Sequence, residues 1–117
     1  EDIVRKIREN YPDVLIMGEI STLQEAKDIL PLNFDLISTT LSGYTKESEN
    51  VTSVNLELIK QITEITDTPI IAEGKIKTEE EAAEAIKAGA LAVVVGTSIT
   101  RPEIITSRYV NYLSSNV

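Results

Sequence analysis

The stretch Ile70-Ile71-Ala72-Glu73-Gly74-Lys75 carries one carboxylate to the end of a short apolar run and follows it with a glycine turn. Thr78-Glu79-Glu80-Glu81 then opens a helix with a capping box. An acid thus sits where a strand stops and a helix begins, the end of an α/β unit at which active sites gather. Removing a proton beside a carbonyl needs a base held at the substrate carbon, often a carboxylate taken partly out of water. On residue type and spacing alone, Glu73 reads either as that base or as a solvated or salt-bridged strand-end carboxylate.

Three further strand ends hold small or polar residues where a core would take apolar ones: Met17-Gly18-Glu19, Thr39 to Thr45, and Gly96 to Arg101. Gly74 and Gly96 let a backbone come close to a ligand, and N–H groups there suit a phosphate, with Arg101 able to add a bidentate contact. Both glycines serve equally as plain turn residues, with Arg101 a surface cation. Ser42-Gly43-Tyr44 could fold over a ligand or stay a solvated loop with one packed Tyr. Glu19 suits a sugar hydroxyl or the start of a helix.

Composition narrows the chemistry. Eleven basic and nineteen acidic side chains give a net charge of −8 over 117 residues, which disfavours nucleic acid and anionic membrane as partners. With no Cys and no His, there is no disulfide, no thiolate or imidazole metal site, and no Ser-His or Cys-His nucleophile. Acid–base work falls to carboxylate, Lys or Tyr. No apolar run is long enough to span a bilayer and no signal peptide is visible, so the expectation is a soluble, cytoplasmic chain. Aromatics make up 4%, leaving an aliphatic core of the kind that buries parallel strands.

The elements that must position these residues follow in order. Residues 1–10 read as a helix with Ile3, Val4 and Ile7 on one face, stopped at Tyr11-Pro12-Asp13. Val14 to Ile16 reads as a buried strand. Thr22-Leu23-Gln24-Glu25 is a capping box for a helix running to about Leu30, where Pro31 closes it. Phe34 to Ser38 is a second strand, and Thr39 to Ser53 a long loop of the kind that carries function. Val54 to Ile65 is helical, burying Leu56, Ile59 and Ile62, with Leu58 a further candidate. Ile70 to Glu73 is the third strand, the following helix ends at Ala88-Gly89, and Leu91 to Val95 is the fourth strand. Pro102 opens a last helix with Ile104, Ile105, Val110 and Leu113 expected inward.

Strict alternation of strand and helix implies a parallel sheet with right-handed crossovers. Units of just under 30 residues scale to roughly 230 for eight, close to a complete (β/α)8 barrel. The chain therefore reads as half of a TIM barrel: four parallel βα units preceded by one helix. A phosphate site after its last two strands would make them strands seven and eight, and the units strands 5–8. Residues Gly18 to Ala26 also match Gly74 to Ala82 in Gly, Ile, Thr, Glu and Ala, fifty-six positions later. Either a duplicated quarter-barrel or convergence of strand–cap–helix units explains the match.

Together, Thr39-Thr40-Leu41-Ser42-Gly43-Tyr44-Thr45, Ala72-Glu73-Gly74-Lys75-Ile76 and Val94-Val95-Gly96-Thr97-Ser98-Ile99-Thr100-Arg101-Pro102 resemble the N-acetylmannosamine-6-phosphate 2-epimerase family, in its C-terminal half. The resemblance implies a ribulose-phosphate-binding-type barrel over residues 1–117 whose N-terminal half is absent. It implies epimerisation at C2 of a phosphorylated amino sugar in sialic acid catabolism, without an organic cofactor. Glu73 matches the family's catalytic Glu, and Gly74, Lys75, Gly96, Thr97 and Arg101 its phosphate- and substrate-binding loops; Glu19, Thr40, Ser42 and Tyr44 complete the candidate binding set. Lys75 replaces the family's usual Arg, turning a bidentate contact into a point charge. Gly18-Glu19 replaces the usual Ala-Asp. A catalytic Lys and another acid come from the family's N-terminal half, so this chain is expected to need that half. An open half-barrel leaves two strand edges to pair with that half or a second copy. The alternatives are a non-catalytic, self-associating half-barrel that binds a phosphorylated sugar, or another phosphate-binding barrel isomerase, such as one of histidine or tryptophan biosynthesis.

Overall fold

A computed structural model describes residues 2–117, so Glu1 of the expected first helix lies outside the described residues. Helices α1 (Asp2–Asn10), α2 (Leu23–Ile29), α3 (Leu56–Thr63), α4 (Glu79–Lys87), α5 (Thr97–Thr100) and α6 (Pro102–Asn116) alternate with strands β1 (Met17–Glu19), β2 (Leu36–Ser38), β3 (Ile70–Glu73) and β4 (Ala92–Val94). The strands form one parallel sheet in the order β1-β2-β3-β4. This is half of a (β/α)8 barrel.

The strand register divides the sheet into two faces. Gly18, Ile37, Ile70, Ala72 and Val93 share the face covered by helices, since paired residues of parallel strands point the same way. Ile37, Ile70 and Ala72 join Leu58, Ile59 and Ile62 of α3, Ala26 of α2 and Ala85 of α4 in one buried cluster. Leu58 is 3% exposed, so it is a core residue in its own right, while Leu56 packs at the margin. Met17, Glu19, Leu36, Ser38, Ile71, Glu73, Ala92 and Val94 share the opposite, concave face. It is only partly covered: Met17 and Val94 are 41% and 43% exposed, whereas Ser38 is buried.

Several expected boundaries move, each for a local reason. The first strand is Met17–Glu19 rather than Val14 to Ile16: Val14 N–H closes a turn onto the Tyr11 carbonyl, and sheet pairing begins only at Ile16, whose carbonyl receives the Asp35 and Leu36 N–H groups. Val14 and Leu15 therefore stay exposed. Pro31 does not end the second helix abruptly; it sits in a 3-10 turn over Leu30–Leu32 that carries α2 one turn further. The loop after β2 contains a second 3-10 turn, Lys46–Ser48.

Both chain ends depart from the expected burial. Ile3 of α1 is 74% exposed, with Val4 and Ile7 half-buried. In α6 only Ile104 and Ile105 are half-buried; Val110 and Leu113 are 53% and 56% exposed, because no described element lies alongside that part of the helix. The molecule is accordingly long, 60 × 28 × 27 Å, with a radius of gyration of 16.6 Å, against about 13 Å for a compact chain of this length. Tyr11, Tyr44, Tyr109 and Tyr112 are all exposed. No helix among the described residues is long and apolar enough to cross a membrane.

The repeated segment is equivalent only in part. Thr22 with Glu25 and Thr78 with Glu81 form the same reciprocal capping box. The matched glycines differ: Gly18 lies within β1 against Ile29 and Phe34, whereas Gly74 follows β3 at φ +100. Gly74 and Lys75 lengthen the β3–α4 connection relative to β1–α2, and both have positive φ.

Two predictions follow from this packing. Ile59→Ala should cost about 2–5 kcal/mol in urea unfolding, and Tyr109→Ala should stay within about 0.5 kcal/mol of the parent. Equal effects would misplace the core. Asp35 accepts the Ile16 N–H at 2.7 Å and the Arg8 guanidinium at 2.7 Å. The Ile16 N–H first and Arg8 second hold its carboxyl below the ordinary 3.8. A carboxyl lowered by folding adds stability that is complete above the ordinary value and lost as pH falls through the folded one. Asp35→Asn should therefore flatten the fall in melting temperature between about pH 4 and pH 2, read by thermal melts.

Candidate active site

β3 ends at Glu73 on the concave face, and the β3–α4 connection turns away at once through Gly74 and Lys75, at φ +100 and +60. A side chain at Gly74 would lie 3.3 Å from the Thr40 carbonyl oxygen, so the loop after β2 and the turn after β3 touch backbone to backbone. They enclose, with the loop after β4 and the start of α6, an open groove of about 870 Å3. Glu73 is half-buried at its wall.

The two threonines after β2 hold Glu73 from both sides of the chain. The Thr39 hydroxyl accepts the Glu73 N–H at 3.1 Å and donates to the Glu73 carbonyl at 2.9 Å. The Thr40 hydroxyl donates to Oε2 of Glu73 at 3.1 Å and shares a second hydrogen bond with Ser38 Oγ.

Cations gather in the same groove of an otherwise acidic chain. Lys75 stacks its ammonium over the Tyr44 ring, 4.0 Å from the centroid, which fastens the β2 loop to the turn after β3. Lys77 and Arg108 also line the groove, Lys77 Nζ donating to the Thr52 carbonyl and Arg108 to the Lys77 carbonyl at 3.3 Å. At the N-terminus of α4 the Lys77 and Thr78 N–H groups go to Glu81, and the Glu81 N–H to Thr78. Side-chain cations and the backbone after β4 line the groove where an anion would enter. Gly96 leaves the space around that backbone open. Among the described residues, no cluster of three acidic side chains could hold a metal ion.

Of the residues singled out in the sequence, Glu73, Gly74, Lys75, Gly96, Thr97, Thr40 and Tyr44 meet in the groove. Three do not. Ser42 is buried, its hydroxyl accepting from Asn55, which caps α3. Glu19 is exposed on the concave face of β1, two strands from Glu73. Arg101 turns to Glu103, 2.6 Å away, because the two lie at the start of one helix. Arg108, two helical turns beyond Arg101, lines the groove instead, and nothing in its local sequence marks it. Ser98 joins it, donating to the Ile76 carbonyl at 2.8 Å.

The loop contacts give a substitution test. A Cβ on Gly43, at φ +85, would lie 2.5 Å from the Val51 carbonyl and 2.8 Å from Lys75 Cε, whereas one on Gly96 meets nothing within 4 Å. Gly43→Ala should lower the unfolding midpoint and release Lys75 from Tyr44; Gly96→Ala should do neither, as read by melts and Tyr44 ring shifts.

The family model described as "Putative N-acetylmannosamine-6-phosphate epimerase" (NanE) matches residues 1–115. A relative in Caldanaerobacter subterraneus, "Putative N-acetylmannosamine-6-phosphate 2-epimerase", is 49% identical over 96% of this chain and 47% of its own length. One of the same description in Listeria welshimeri is 40% identical over 99% of this chain and 50% of its own. The solved N-acetylmannosamine-6-phosphate 2-epimerase from Clostridium perfringens superposes with a TM-score of 0.85 at 42% identity, covering 95% of this chain and 48% of that one. A thiamine phosphate pyrophosphorylase from Pyrococcus furiosus, 22% identical with a TM-score of 0.65 over 82% of this chain and 45% of its own, shares the fold alone. The chain thus spans about half the length of the curated relatives it matches, and it belongs to the N-acetylmannosamine-6-phosphate epimerase family.

Proposed function

We propose that this chain is the C-terminal half of an N-acetylmannosamine-6-phosphate 2-epimerase, acting in the cytoplasm in sialic acid catabolism. The observation that carries the reading is one carboxylate, Glu73, fixed at a strand end in a groove whose other charged lining side chains are cationic. In the open-chain sugar, C2 adjoins the C1 aldehyde. Glu73 takes the C2 proton, the electron pair passes into the carbonyl as an enolate, and a proton returns to the opposite face. Lys75, Lys77 and Arg108, with the backbone at Gly96 and Thr97, form the side of the groove suited to the 6-phosphate.

Epimerisation needs a second proton carrier on the far face of C2. In this reading it comes from the N-terminal half-barrel, whose strands would cover the concave face and pair with β1 and β4. A second reading, a non-catalytic half-barrel that pairs with its own copy and still holds a phosphorylated sugar, is favoured by the same partly covered face and open edges.

A coupled epimerase assay and a mass measurement, with and without the N-terminal half of the Caldanaerobacter relative, separate the two. The expected result is no turnover by the chain alone and turnover by the reconstituted pair. Glu73→Gln in that pair should cost roughly 10²–10⁴-fold in rate; a loss of only a few-fold removes Glu73 as the base. Turnover by the isolated chain would refute the need for a partner half. A self-paired chain that binds N-acetylmannosamine 6-phosphate and ignores the N-terminal half would establish the second reading.

A further inference from the structure

Ser38 is fully buried on the concave face, level with Glu19 of β1 and Ile71 of β3, and among the described residues its hydroxyl hydrogen-bonds only with that of Thr40. A threonine hydroxyl has one hydrogen to donate. Thr40 gives its hydrogen to Oε2 of Glu73, an acceptor when ionised, so Thr40 must accept from Ser38. The order of donors is thereby fixed as Ser38 to Thr40 to Glu73. Oε1 of Glu73 receives no hydrogen bond from the described residues.

We propose that Ser38 and Thr40 are positioning residues that commit Oε2 of Glu73 and leave Oε1 as the one oxygen that exchanges a proton with the substrate carbon. The proposal rests on the reading of Glu73 as the base. When the C–H bond breaks, its electron pair enters the carbonyl and the proton binds Oε1. Oε2 is then the carbonyl oxygen of a neutral acid and still accepts from Thr40. No hydroxyl has to turn over during the transfer, so the arrangement needs no reorganisation in either direction. Thr39 does a separate task. The last backbone rung between β2 and β3 runs from Thr39 N–H to the Ile71 carbonyl at 3.2 Å. Its hydroxyl supplies the next rung, fixing the Glu73 main chain rather than its carboxylate.

Two readouts test this. In the chain itself, three-bond NMR couplings report the Glu73 χ1 angle: one rotamer in the parent, averaging in Thr40→Val, partial averaging in Ser38→Ala, and one rotamer again in Thr40→Ser. Thr39→Val should keep the rotamer and lower the unfolding midpoint. In the pair reconstituted with the N-terminal half, Thr40→Val should lower kcat by about 10–100-fold, leave KM within about twofold, and be rescued by Thr40→Ser. A single Glu73 rotamer in Thr40→Val, or a loss confined to KM, overturns the proposal. If the parent pair shows no turnover, the epimerase reading fails while the couplings still decide the positioning roles.

Discussion

The packing of α3 across β2 and β3 is the contact on which the rest of the molecule depends. Ile59 and Ile62 are wholly buried in one cluster with Ile37 and Ile70, and there is no aromatic residue in that core to share the task. This contact fixes the level of β2 against β3. That level decides that Thr39 and Thr40 come opposite Glu73 rather than one residue above or below. In a parallel sheet a slip of one residue would turn Glu73 to the helices. The site is therefore a consequence of the aliphatic layer beneath it.

Around that layer the structure uses short polar side chains as extensions of the sheet. The β2–β3 ladder stops just where chemistry would begin, and hydroxyls continue it. A hydroxyl can satisfy a backbone group without closing off the space beside it, which a further strand residue would do. The positive φ of Gly74 and Lys75 has the matching effect on the other side, turning the chain away within two residues so that the carboxylate stands clear.

What could be read from the sequence is what local chemistry determines. Thr22 with Glu25 and Thr78 with Glu81 announce their helices because a capping box is complete within four residues. Ile70 to Glu73 is found residue for residue because Pro69 and Gly74 bound it. Ser38 carried no signal: a serine at a strand end is ordinary, and its hydrogen bond depends on the register with β3. Arg101 and Arg108 were distinguishable only once the helix start was fixed, since one faces Glu103 and the other the groove. Val110 and Leu113 show the limit in the other direction. Their apolar spacing states a preference for burial, and burial needs a neighbour that the described residues do not provide.

The placement of the tyrosines has an optical consequence. The chain has four of them and no Trp, and all four are exposed: Tyr11 below β1, Tyr44 at the groove, Tyr109 and Tyr112 on α6. None reports on the buried cluster. Near-ultraviolet absorbance and fluorescence of this protein therefore register what comes to its surface, at three separate places, while the folding of its core passes almost unseen at those wavelengths.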